Sequence, residues 1–170
     1  GKSCAMLKEE LEVVSAYCVI QNYRYKDKVS VSIEVPDELT TAYVPKNILQ
    51  PLVENACVHG ILPKPEQRGN IWVKALREED KLELRVEDDG VGVTEELCES
   101  LNKVMQEKVR SIRTPKNKGF GIALVNVNDR IRLLDGMEYG IRMEKRPEGG
   151  TCVIVTQKYG TEIPGENIEK

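Results

Sequence analysis

The sequence predicts a mixed α/β domain, and three observations carry that expectation. Short stretches alternate apolar with polar residues, as half-buried strands do: Val29 to Val35, Asn70 to Leu76, Lys81 to Glu87, Tyr139 to Glu144 and Thr151 to Lys158. Between them lie longer stretches whose apolar residues fall three or four apart, the spacing of a helix with one buried face. Glycine and proline gather mainly at the joints between these stretches. A chain of 170 residues has room for one such domain with a full core and a helical appendage, and two domains would be cramped.

Composition narrows the class further. Hydrophobic residues make up 40% and charged residues 31%, as in a soluble globular protein, and no apolar run approaches the ~20 residues that cross a bilayer. The net charge is -3, with lysines and arginines scattered among acids, so no nucleic-acid partner is expected. Cys4, Cys18, Cys57, Cys98 and Cys152 are odd in number, far apart and free of a Cys-x-x-Cys spacing, which reads as reduced thiols of a cytosolic protein. A start at Gly1 without a signal peptide suggests a piece of something longer.

In chain order, residues 3 to 25 lack glycine and proline and place Leu7, Leu11, Val14, Cys18 and Gln21 at helical spacing. That stripe suits either docking on the domain or pairing with the same helix of another chain. The strand from Val29 follows, closed by Pro36 and Asp37. Pro45 to Gly60 is a helix with Ile48, Leu49, Leu52, Val53 and Ala56 on its apolar face and Asn55 and His59 four apart on another. Pro51 requires that this helix start there or that its first turn be irregular, and Gly60 suits a left-handed helix end. Asn55 offers an amide oxygen to a hard cation, with Glu54 beside it, and His59 either closes the helix or touches ligand. A hairpin over Asn70 to Leu76 and Lys81 to Glu87 delivers Asp88 to a strand end followed by Gly90 and Gly92. There a backbone without Cβ lets a flat or phosphorylated ligand approach, and Asp88 can accept a hydrogen bond from an exocyclic amine such as that of adenine. Thr94 caps the next helix, which carries Leu97, Leu101, Val104 and Met105 on one side. A basic, aperiodic segment then leads through Lys116, Lys118, Gly119 and Gly121 into a helix with Leu124, Val127, Ile131 and Leu134 on its apolar face. Free N–H groups at such an entry suit phosphate oxygens. A hairpin joined through Gly149 and Gly150 closes the domain, and a polar tail begins at Gly160.

An asparagine-bearing helix, an Asp-x-Gly-x-Gly strand end and a glycine-entered helix, in that order, resemble the GHKL superfamily of gyrase-type topoisomerases, the chaperone of ninety kilodaltons, sensor histidine kinases and MutL mismatch-repair proteins. The box Leu-Gln-Pro-Leu-Val-Glu-Asn-Ala at Leu49 to Ala56, Asp88 to Gly92, Gly121 to Ile131 and Gly149 to Thr151 look most like the ATP-binding catalytic domain of a sensor histidine kinase. Glu9 to Leu11 with Ile20 and Gln21 look like the end of the helical segment that precedes such domains. The resemblance implies an α/β fold, an α+β two-layer sandwich of the Bergerat type: a mixed sheet with helices on one face, preceded by an N-terminal helix. It divides the chain into a helical dimerisation or linker segment over 1–26, an ATP-binding domain over 27–160 and a tail over 161–170.

By that likeness Asn55 holds Mg2+, with Glu54 as a second oxygen or an orienter of the acceptor, and Asp88 bonds the adenine amine. His59, Leu124 and Thr151 lie by the nucleotide, Gly90 and Gly92 shape the adenine pocket, Gly119 and Gly121 admit the triphosphate, and Lys116 or Lys118 meets phosphate. The implied reaction passes the γ-phosphoryl group of ATP to a histidine. With His59 committed to the nucleotide helix, the acceptor must lie outside this chain. The implied partners are that acceptor helix, a response regulator and a second copy through the first helix. The implied location is cytoplasmic, in a longer protein anchored in the cell membrane. Val58 and Val125 stand where the subfamily commonly has lysines, and Ala123 stands at a usual glycine. The loss at Val58 motivates an alternative, a nucleotide-sensing or dimerising module without phosphotransfer. A hydrolysing GHKL ATPase fits less well, because such enzymes carry a glutamate where this chain has Pro51.

Overall fold

The computed structural model describes residues 3–107 and 121–164. A five-stranded mixed sheet is formed by β2 (Val29–Glu34), β4 (Gly69–Glu78), β5 (Lys81–Asp88), β6 (Gly140–Lys145) and β7 (Thr151–Lys158), in the order β2-β4-β5-β7-β6. β2 runs parallel to β4 and every other pairing is antiparallel, so the expected hairpins β4–β5 and β6–β7 form, and β7 crosses to lie against β5. Period-two alternation gives the sheet two unlike faces. Ile71, Val73, Leu84, Val86, Val153 and Val155 turn toward the helices and join one core. The opposite face carries Trp72, Lys74, Arg85 and Glu87. Lys74 meets Glu87 at 2.6 Å, and Arg146 lies over the Trp72 ring at 4.4 Å.

The helices are α1 (Leu7–Tyr25), α2 (Leu49–Asn55), α3 (Glu95–Gln106) and α4 (Ile122–Asp135). The first was expected from residue 3 but begins at Leu7. Cys4–Met6 is β1, drawn into an antiparallel ribbon with β3 (Tyr43–Pro45), a long-range pairing that no local periodicity encodes. α1 buries Leu7, Leu11 and Val14 against α2 and β2, as its stripe predicts. Its far side is also apolar: Val19, Ile20 and Tyr23 are 70%, 64% and 92% exposed. Thr94 caps α3 as expected, its hydroxyl accepting from the Leu97 N–H at 3.2 Å. Along α4, Leu124, Val127 and Ile131 are buried as predicted, whereas Leu134 is half exposed and a polar residue, Asn128, is buried with them. That amide accepts from Ile141 N–H at 2.8 Å and donates to the Met105 carbonyl at 3.1 Å, joining α4, α3 and β6. Gly160, expected to open a loose tail, accepts the Tyr43 N–H at 2.9 Å and fastens the chain to β3.

α1 and α2 are joined by a buried carboxylate. Glu10 is only 5% exposed, and its Oε1 accepts the Ile48 N–H at 2.7 Å, satisfying one of the free donors at the start of α2. This resolves the placement of Pro51. The helix starts at Leu49, and the proline is its third residue, where the missing N–H would have had no partner inside the helix. Glu10→Ala leaves the Ile48 donor buried and unpaired and should destabilise the chain by about 1–3 kcal/mol in urea unfolding. Glu10→Gln, which keeps an acceptor, should lose less.

Candidate functional site

The site begins with an irregularity in the second helix. After Asn55 the chain does not continue as α-helix but widens into a π turn over Ala56–Ile61, closed by Leu62 N–H on the Cys57 carbonyl at 3.0 Å. Gly60 was expected as a left-handed helix end. It lies inside this turn without positive φ, and its reason is space. A Cβ there would stand 2.7 Å from Asp88 Oδ1, and one on Gly90 would run into the Gly60 carbonyl. That carbonyl accepts the Val91 N–H at 2.9 Å, so the π turn and the end of β5 touch through bare backbone. The glycines after Asp88 were expected to share one role, ligand approach through positive φ. Gly92 adopts φ 75°, but Gly90 does not and is needed for the contact with Gly60.

Around this contact one narrow cleft forms, walled by Asn55, His59, Gly60, Asp88, Gly92 and Thr151, with Ala56, Val93 and Val153 as its apolar floor. Asn55, His59, Asp88, Gly92 and Thr151 were anticipated from three separated stretches of sequence, and the fold brings them together. Thr151 faces Asp88 across the last rung of the β5–β7 ladder. Gly150, read from the sequence as part of a turn, has φ 96° and packs against the Asp88 carbonyl where no Cβ fits. Gly60, Ala56, Val93 and Val153 line the cleft, and Gly150 packs behind Asp88, without the sequence having named any of them for the site. The glycines had a signal in their adjacency to motif residues, and the others had none.

The remaining anticipated residues are placed differently. Glu54 is exposed and is not among the residues that line the cleft. Gly121, with φ 101°, forms the N-terminal cap of α4. Leu124 is fully buried in the core and adds nothing to the cleft wall. Lys116, Lys118 and Gly119 lie outside the described residues. Arg130 on α4 donates to the Lys46 carbonyl and fixes the glycine-entered helix against the start of the asparagine-bearing one.

Asp88 dominates the electrostatics. It is 4% exposed, and burial lifts its carboxyl from the ordinary 3.8 to about 6, with the neighbouring charge of Asp89 acting in the same direction. The Gly90 N–H, donating at 2.9 Å, the Thr151 N–H and the Arg146 guanidinium pull the other way. A buried carboxylate with spare acceptor capacity, facing a slot kept thin by glycine, matches a flat heterocycle bearing an amine. The Asn55 amide lines the cleft, and the Glu54 carboxylate one residue before it is exposed. Among the described residues no cluster of three or more His, Cys, Asp or Glu could hold a metal by itself.

Comparison with known proteins establishes the family and the fold. The model of the histidine kinase-, DNA gyrase B- and HSP90-like ATPase family matches residues 42–161, and the chain belongs to that family. It is 34% identical to the sensor protein LytS of Bacillus anthracis over 92% of this chain and 25% of that protein. It is 32% identical to the sensor histidine kinase YpdA of Escherichia coli over 85% of this chain and 23% of that protein. It thus spans about a quarter of the length of these relatives. The catalytic domain of histidine kinase ThkA superposes with a TM-score of 0.64 at 19% identity, covering 93% of this chain and 95% of that one, which shows the shared fold.

A carboxyl whose pKa is higher in the folded than in the unfolded chain favours folding below the unfolded value of 3.8 and loses that contribution as pH rises through about 6. Asp88→Asn should therefore stabilise the chain near neutral pH, by up to roughly 3 kcal/mol. Urea unfolding across pH should show that gain complete above about pH 7 and gone below about pH 4.

Proposed function

We propose that this chain is the ATP-binding catalytic domain of a sensor histidine kinase, holding ATP so that its γ-phosphoryl group passes to a histidine outside the chain. The observation that carries the proposal is that Asn55 and Asp88, from motifs far apart in sequence, wall one cleft. In this reading Asp88 accepts a hydrogen bond from the exocyclic amine of adenine, Gly60 and Gly92 line the slot without side chains, and Gly90 and Gly150 let the backbone close around Asp88. His59 and Thr151 border the nucleotide. Gly121 brings the N–H groups at the start of α4, reinforced by the helix dipole, toward phosphate. Gly119 and Lys116 or Lys118 complete the phosphate contacts. Asn55, with Glu54, would hold Mg2+, which supplies charge neutralisation at the β- and γ-phosphates. The protein's work is positioning and electrostatics, since a neutral imidazole nitrogen is a usable nucleophile without a strong base.

The partners in this reading are the acceptor helix of the longer kinase, a response regulator and a second copy met through the apolar outer side of α1. Residues 1–26 act as linker and dimer contact, 27–160 as the nucleotide domain and 161–170 as a tail, with the longer protein anchored in the membrane. Among the described residues no helix is long and apolar enough to cross a membrane. A second reading, a nucleotide-sensing module without transfer, draws on Val58, which is 44% exposed where the subfamily commonly presents a lysine.

Titration with ATP should give micromolar-to-millimolar affinity, order of magnitude only. That affinity should be lost in Asp88→Ala, and its dependence on Mg2+ should disappear in Asn55→Ala. Mixing the chain with labelled ATP and a helical fragment bearing the acceptor histidine should label the fragment. Nucleotide binding with an unlabelled fragment would favour the sensing module, and fast ATP turnover by the isolated chain would favour a hydrolase.

A further inference from the structure

Asp88 is the last residue of β5, and its final rung in the β4–β5 ladder is to Ile71. Strand ends fray, yet adenine recognition requires this carboxylate to hold one direction. The next residue continues the ladder by other means. Asp89 donates its N–H to the Asn70 carbonyl at 3.2 Å, its Oδ1 accepts the Asn70 N–H at 2.7 Å, and its Oδ2 accepts Asn70 Nδ2 at 2.8 Å. Its own carbonyl accepts Lys64 Nζ at 3.3 Å, from the loop that follows the π turn. Asn70 is thereby gripped through both its main chain and its side chain. The grip leaves no room for a side chain at Gly69, where a Cβ would press on Ile61 and Asp89 Oδ1.

Asp89 does not wall the cleft. We infer that Asp89 is a positioning residue for nucleotide recognition: by clasping Asn70 and Lys64 it fixes the strand end from which Asp88 reads the base. This rests on the reading of Asp88 as the adenine acceptor. The clasp at Asp89 and the contact of Gly60 with Gly90 and Val91 hold the chain just after Asp88 from two sides, so backbone freedom there is limited without any group entering the slot.

A stabiliser of the turn and a positioning residue differ in what their loss does to selectivity. The test measures binding of ATP and of purine riboside 5′-triphosphate, which lacks the exocyclic amine, to the 170-residue chain and its variants, with circular dichroism confirming the fold. Asp89→Ala should weaken ATP by about tenfold and leave the analogue unchanged, so that the preference collapses. Asp89→Asn, which can still accept the Asn70 N–H and can donate to the Asn70 amide oxygen once that amide turns over, should retain it, and Asn70→Ala, which keeps the main-chain N–H, should fall between. If Asp89→Ala does not fold, Asn70→Ala carries the test, and an undiminished preference there overturns the inference. Equal loss of both nucleotides, or no loss while Asp88→Ala abolishes the preference, overturns the inference and leaves the proposed function standing. If the native chain binds neither nucleotide, or binds both alike, the reading of Asp88 falls and the inference with it.

Discussion

The site depends on one close approach of backbone to backbone, where the π turn after Asn55 meets the end of β5. Gly60 and Gly90 face each other with no room for a Cβ on either, and the Gly60 carbonyl takes the Val91 N–H. Because they touch so closely, Asp88 is buried under the turn, and the helix bearing Asn55 and His59 is brought over the strand end. An α-helical path through residues 56–61 would rotate His59 and Gly60 relative to Asn55. The extra residue in the π turn sets how these three residues and the strand end converge.

Burial of Asp88 sets recognition against stability. The fold disfavours its ionised form and offers two N–H groups and a nearby guanidinium in partial compensation. A carboxylate left short of partners in a dry slot is a strong acceptor for a ligand that brings its own donor. The rest of the fold is arranged to tolerate this. Glu10 caps α2 from α1, Arg130 ties α4 to the segment before α2, and Asn128 joins α3, α4 and β6, so the helices around the cleft are fixed to one another by buried or half-buried polar groups. These contacts give geometry where a purely apolar interface would leave the helices free to slide.

Most strands and helices were legible because their signals are local. The alternation in β4, β5 and β7, the Thr94 cap and the α4 stripe each depend on residues within a few positions of one another. β1 and β3 escaped notice because three-residue strands carry too few positions for a period, and only their mutual pairing makes them strands. The outer face of α1 was missed for a different reason. The inner stripe accounts for the helix by itself, and Val19, Ile20 and Tyr23 become a face only when the fold leaves them on the exposed side.

For the candidate site, Asn55, Asp88 and Gly92 stood out by residue type at element ends, His59 by its place one turn after Asn55, and Thr151 only through the family resemblance. The sequence could not say why Gly60, Gly90 and Gly150 must be glycine, or that Asp89 faces Asn70. Those facts are distances between segments far apart in sequence, and such distances exist only once the sheet has closed and the helices have packed on it.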